Sequence, residues 1–179
     1  MRIVGDSDLA EVLAIYRDEH CAHGAEEGVR FREGEDNLRR GDELSGTWTR
    51  VLLSRADLAA VTLPWHLSEG GDRELVPRTG LTVEQAAARL RTERADLAAA
   101  NPVCTGLITA LTEAPFTTVF LSAAPAGHSD YADLRAEEGL FHLDGLHRMI
   151  AWELAGRLPE GDLIDGVVAG ELRGEGVRR

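Results

Sequence analysis

The chain has 179 residues, with 19 basic side chains, all of them arginine, against 31 acidic ones, for a formal charge of −12. The absence of lysine excludes a Schiff-base lysine, a phosphate-loop lysine and a lysine general base. The charge weighs against nucleic acid and anionic membrane surfaces as partners, because both attract proteins through their phosphates. With 44% apolar and 28% charged residues the composition is that of a globular chain, and the length predicts a single domain over 1–179.

No apolar run approaches the roughly 20 residues that span a bilayer. Met1-Arg2-Ile3-Val4-Gly5-Asp6 turns acidic without the apolar region of a signal peptide, so a cytoplasmic protein is expected. Cys21 and Cys104 stand far apart with no C-x-x-C spacing, which reads as two isolated thiols and not as a disulfide framework or a structural zinc site.

Asp6-Ser7-Asp8 supplies cap oxygens, and Leu9, Val12, Leu13 and Tyr16 follow at helical spacing, so a helix is predicted over about 8–21. Gly24 to Gly46 is charged and punctuated by glycine and reads as loop. Thr47–Leu53 reads as a strand. Ser54–Leu58 can start a short helical turn before Val61–Leu63, and Ser68–Gly80 is a connection. Thr82 and Gln85 have the spacing of a capping box for a helix that runs to about Ala100. Asn101 and Pro102 are a cap and first-turn proline for the next helix, Val103 to about Thr112. A strand over Thr117–Ser122, a long loop or short helix over Ala123–Glu138 and a strand over Leu140–Asp144 follow. A helix over Leu146–Ala155 stops at Gly156, and Leu163–Ala169 is a last strand. The pattern is mixed α and β, an α+β class.

The densest polar constellation is Phe141-His142-Leu143-Asp144-Gly145-Leu146-His147-Arg148. Strand alternation predicts Phe141 and Leu143 on one face, with His142 and Asp144 on the other. Gly145 permits a sharp strand-to-helix turn. His147 and Arg148 then fall in the first helical turn, at the positive end of the dipole, where cations are disfavoured unless an anion is bound. A helix start after a glycine turn suits anions, and Arg148 can add a bidentate contact to phosphate or carboxylate. Structural roles compete with these. Asp144 can cap the helix through the His147 N–H, Arg148 can pair with Glu153 or a surface acid, His142 can be an ordinary sheet histidine, and Trp152 can be packing.

Leu143-Asp144-Gly145-Leu146-His147-Arg148, followed by Ile150-Ala151, resembles the D-G-x-H-R motif of the ParB/sulfiredoxin-like superfamily. The resemblance covers roughly 101–170, with a helix and a strand before the motif and a strand after it. It makes 1–100 an N-terminal extension of helices and one or two strands, and 171–179 a tail. It implies a ParB-like core with a small mixed sheet and a nucleotide or phosphate pocket at this corner. Sulfiredoxin-like members carry cysteine immediately before His-Arg, where Leu146 stands here, which argues against sulfinic acid reduction. Partition proteins continue into a basic helix-turn-helix region, which this acidic chain lacks.

The kinase-like branch of the resemblance implies ATP, ADP or CTP with Mg²⁺ and a small hydroxylated or amino-acid-like substrate. Asp144 would polarise a hydroxyl or hold the magnesium, while His147 and Arg148 would hold phosphates. Glu33, Glu35 or Asp36 would serve as base, and Tyr131 would close over the pocket. Two alternatives stand beside this enzyme: a non-catalytic ligand-binding accessory protein, and a metal-dependent enzyme using His142, Asp144 and His147. His20 and His23 read as surface residues, and whether His66 and His128, which lie in connections, reach the site is left open. A homodimer is left open.

Overall fold

The computed structural model describes residues 1–22, 29–68, 70–161 and 163–172. His23, residues 24–28 of the expected loop, residues 173–179 of the expected tail and the side chain of Cys21 lie outside what is described. The chain is mixed α+β, as expected. Its strands are β1 (Arg2–Ser7), β2 (Trp48–Leu53), β3 (Thr62–Leu63), β4 (Leu81–Thr82), β5 (Val119–Ser122), β6 (Phe141–Asp144) and β7 (Ile164–Ala169). Its helices are α1 (Leu9–Ala22), α2 (Val29–Ser45), α3 (Arg55–Ala59), α4 (Val83–Ala100), α5 (Pro102–Leu111) and α6 (Leu146–Leu154), with a 3-10 turn at Ser129–Tyr131.

The strands form one mixed sheet in the order β1-β2-β7-β5-β6-β3-β4. β5 runs parallel to β7, and β3 parallel to β6, while the remaining pairs are antiparallel. Residues 1–100 therefore supply four strands of the sheet that carries the motif, with β2 hydrogen-bonded to β7 and β3 to β6. Two cores sandwich this sheet. One joins Val119, Leu121 and Val168 to Leu90, Cys104, Ile108 and Met149 of α4, α5 and α6. The other joins Trp48, Phe120, Leu143 and Val167 to Val12, Tyr16 and Leu38 of α1 and α2.

Several local signals are realised as read. Thr82 and Gln85 close a reciprocal capping box on α4, and the short helical turn expected at Ser54–Leu58 is α3, where Ser54 and Asp57 form a box beyond that expectation. Asn101 caps α5, accepting the Cys104 N–H at 3.3 Å, with Pro102 at the first helical position. Gly156 ends α6 at φ 67°.

Apart from the two-residue strand β4, which was also not expected, two elements differ from expectation. Residues 29–45 are not loop but the helix α2. Its glycines are packing devices: a Cβ at Gly34 would lie 2.1 Å from Tyr16 Oη, and one at Gly41 would lie 2.7 Å from Leu143 Cδ1. With Leu38, fully buried between them, they form a narrow strip at helical spacing that lets α2 lie close to α1 and the sheet. The second difference is β1, an edge strand at residues 2–7. It alternates exposed and half-buried positions and pairs with β2.

Candidate functional site

The motif strand β6 carries an irregularity that decides where its side chains go. Leu121 of β5 faces His142, and Phe120 faces Asp144, so the register shifts by one residue between them. Such a bulge sets two residues of one strand against one of its neighbour. Leu121 belongs to the core under α4–α6 and Phe120 to the core under α1 and α2. The expected sharing of a face by His142 and Asp144 is therefore corrected: His142 opposes a residue of one core and Asp144 a residue of the other.

Gly145 makes the turn into α6 at φ 103°, and a Cβ there would stand 3.3 Å from Arg148 Nη2 and 3.4 Å from Val119 Cγ1. Gly145 is the N-cap and makes no side-chain cap. Asp144 does not cap the helix. Instead the Leu146 N–H donates to His142 Nε2 at 3.0 Å. That bond puts the proton of the neutral ring on Nδ1, a buried atom with no hydrogen-bond partner. Burial is the main reason that the His142 pKa falls to about 4. The Asp144 carboxylate pulls it upward, and His66 and Arg148 press it further down.

Arg148 and Asp144 form one group of contacts. Arg148 Nη2 donates to Asp144 Oδ2 at 2.6 Å, and Nη1 donates to the Thr117 hydroxyl and stands 3.8 Å from Glu19 Oε2. Glu19 Oε1 accepts the Thr118 N–H at 2.9 Å and the Thr118 hydroxyl at 2.6 Å. His20 donates Nδ1–H to the Tyr16 carbonyl at 2.8 Å and stacks on the Tyr16 ring, which leaves Nε2 3.9 Å from Asp144 Oδ2. Tyr16 donates to the Phe31 carbonyl, and burial, followed by the Asp144 carboxylate, raises its pKa. Arg148 thus pairs with Asp144 and Glu19, not with Glu153, which is gripped by Arg55 and Arg91.

His147 belongs to a different group. Its Nε2 lies 3.4 Å from Cys104 Sγ on α5, and its ring meets the His66 ring edge-on at 4.8 Å between centroids. His66, Cys104 and His147 each bring a ligand atom within 4.8 Å of the others. The expected metal trio of His142, Asp144 and His147 does not come together: among the described residues the single grouping of this kind shares only His147 with it.

The other expected participants are distributed as follows. Tyr131 is no lid. It is buried and donates its hydroxyl to the His142 carbonyl at 2.6 Å, which pins the motif strand, and burial raises its pKa. Glu35 is held by Arg17 at 2.5 Å, and Glu33 and Asp36 are exposed on α2, so the acid that reaches the corner is Glu19. His128 caps the 3-10 turn, its Nδ1 accepting the Asp130 N–H at 3.3 Å. Of the two connection histidines, His66 is the one that meets a motif residue. Trp152 is fully buried and packs edge-on against Phe116. Glu19 and Thr117 went unassigned in the sequence, Cys104 was read as an isolated thiol and His20 as a surface residue, because each is distant from the motif and carries no spacing signal of its own.

No helix among the described residues is long and apolar enough to cross a membrane. The chain belongs to the family described as "Family of unknown function (DUF6309)", whose model matches residues 1–178. No curated protein and no solved structure matches the chain.

Proposed function

We propose that this DUF6309 protein is a small-molecule enzyme with its reaction centre at the end of β6, taking a phosphate-bearing ligand of the nucleotide class as its magnesium complex. The observation that carries the reading is the convergence of Asp144, Glu19, Thr117, His20 and Arg148 at one partly buried corner. They come from α1, the approach to β5, β6 and α6. The resemblance of residues 143–148 to the D-G-x-H-R motif points the same way.

The charges favour a ligand that arrives as its magnesium complex. Two carboxylates outweigh one guanidinium, and a like-charge contact at 4 Å costs about 4 kcal/mol at an effective dielectric of 20. A bare phosphate is therefore repelled. Magnesium relieves that repulsion, and it characteristically binds through one or two carboxylates together with substrate phosphates. Asp144 and Glu19 are the oxygen donors that fit it. When bound, the ion would neutralise phosphate charge and orient the phosphoryl group. Arg148 would then contact phosphate oxygens. With the ion on Asp144 and Glu19, Asp144 would orient a substrate hydroxyl, and the proton of that hydroxyl would pass to His20 Nε2, the ring nitrogen left free of a proton 3.9 Å from Asp144 Oδ2.

Thermal denaturation with ATP, ADP or CTP, each with and without Mg²⁺, tests this. The expected result is a rise in Tm that needs both components and disappears in Arg148→Ala. The same shift in the presence of a chelator would remove the electrostatic basis, and no shift with any nucleotide would remove the reading. Release of a labelled γ-phosphate separates an enzyme from a ligand-binding accessory protein.

A further inference from the structure

We infer that His66, Cys104 and His147 form a binding site for a single zinc-class transition-metal ion, on the His147 side of the first turn of α6 and apart from the contacts of Arg148. The inference is independent of the nucleotide reading, with which it shares no ligand.

The donor set comes first. One thiolate and two imidazoles are the ligands that zinc takes in preference to the oxygen donors of magnesium or calcium. The spacing agrees. A tetrahedral ion with Zn–S of about 2.3 Å and Zn–N of about 2.0 Å holds its sulfur and nitrogen about 3.5 Å apart. His147 Nε2 and Cys104 Sγ are 3.4 Å apart, and all three donor atoms fall within 4.8 Å of one another.

Each ligand also sits on a segment clamped by an interaction that does not involve the ligand atom. His66 is fixed by a two-residue bridge, its N–H donating to Val76 O at 3.0 Å and its carbonyl accepting the Leu75 N–H at 2.8 Å. Cys104 stands in the first turn of α5, capped by a fully buried Asn101. The Asn101 side chain also donates to the Arg73 carbonyl at 3.1 Å and accepts the Ser68 hydroxyl at 2.5 Å. His147 starts α6, and the preceding N–H of Leu146 is held by His142 Nε2. Three segments distant in sequence are thus fixed before any ion arrives, the condition for a precise site. Cys104 is 1% exposed while both histidines are half-buried. An ion there would have its thiolate shielded and its imidazole side toward solvent. Three protein ligands leave the fourth tetrahedral position for water, the arrangement of catalytic zinc and not of structural zinc.

The test titrates Co²⁺ and then Zn²⁺ into the full chain after chelator treatment. One equivalent of Co²⁺ is expected, with a tetrahedral visible spectrum and a near-ultraviolet thiolate-to-cobalt band. Cys104→Ser should abolish that band. His66→Asn and His147→Asn should keep a weaker, shifted band. Loss of an outer partner of a bound metal costs about 10–100-fold in affinity, so each ligand variant should lose at least about 100-fold for Zn²⁺. Circular dichroism of the metal-free variants checks folding. If Cys104→Ser does not fold, the two asparagine variants carry the test. Cys21→Ser should leave the spectrum unchanged. A thiolate band lost in Cys21→Ser and kept in Cys104→Ser overturns the site, as does a stoichiometry near zero or unchanged affinity in both asparagine variants.

Discussion

His147 and Arg148 are neighbours in sequence, yet they belong to two sites of opposite chemistry. On the His147 side the groups are an imidazole pair and a thiol, soft donors set close together on clamped segments. On the Arg148 side they are a guanidinium, two carboxylates and hydroxyls, already tied to one another by short contacts and carrying an excess of negative charge. Successive helical residues project about 100° apart, which alone separates the two side chains. The bulge in β6 completes the separation by turning Asp144 toward α1 while His142 stays opposite Leu121. A motif that reads as one cluster of ligands along the chain is thereby divided into a metal-type site and an ion-pair site that share a glycine and a helical turn.

If that division is right, substitutions should sort by side. The largest effect is expected at His142, which serves the His147 side. Its pKa is about 4 in the folded chain and about 6.5 when unfolded. Between those values the unfolded state binds more protons, so the neutral buried ring imposes no penalty above pH 6.5. Stability is lost progressively as pH falls toward 4, by up to about 3 kcal/mol. Urea unfolding of wild type and His142→Gln from pH 7 to pH 4 should show the wild type losing that much more than the variant. Parallel curves would mean that the ring is not held neutral. His142→Gln should also weaken Co²⁺ binding by about 10-fold through the looser start of α6, and leave the Mg²⁺–nucleotide shift in place.

Gly145 serves both sides, and its replacement should damage both. Alanine at φ 103° costs about 1–2 kcal/mol, and the added Cβ presses on Arg148 Nη2 and Val119 Cγ1. Gly145→Ala should lower the stability measured in urea by about 2 kcal/mol and weaken the cobalt and nucleotide responses together. A variant that loses one response and keeps the other would show that the turn does not couple them.

How much of this was legible in the sequence follows from the range of each signal. Signals carried within four residues were readable: the Thr82/Gln85 box, the Asn101-Pro102 start and the Gly145 and Gly156 turns. Glycine was misleading in α2, because Gly34 and Gly41 provide room for Tyr16 and Leu143, atoms that no local rule places there. The strand β1 was hidden because an edge strand with only half-buried alternate positions has little apolar signature. The corner itself was located by its polar density and glycine turn. Its partition was not, since a one-residue register shift belongs to the pairing of β5 with β6 and not to either strand alone. Glu19, His66 and Cys104 enter only through tertiary packing, and no periodicity could have joined them to residues 144–148.

The smallest effect is expected in the coupling between Asp144 and Arg148, and it separates the two sides most cleanly. The pair is 2.6 Å apart, with side chains 21% and 16% exposed, so solvent screens part of its attraction. Arg148 also keeps Glu19 and Thr117 when Asp144 is removed, which limits the charge left unpaired. A double-mutant cycle of Asp144→Ala and Arg148→Ala should therefore give a coupling of about 1 kcal/mol, smaller at high salt. Cobalt affinity should change less than about twofold in Asp144→Ala, because the donor atoms of His66, Cys104 and His147 are gathered against one another and Asp144 is not among the grouped ligands. Asp144→Ala weakening cobalt binding as much as His142→Gln would place both residues in one electrostatic unit, and the bulge would then bend the strand without separating its chemistry.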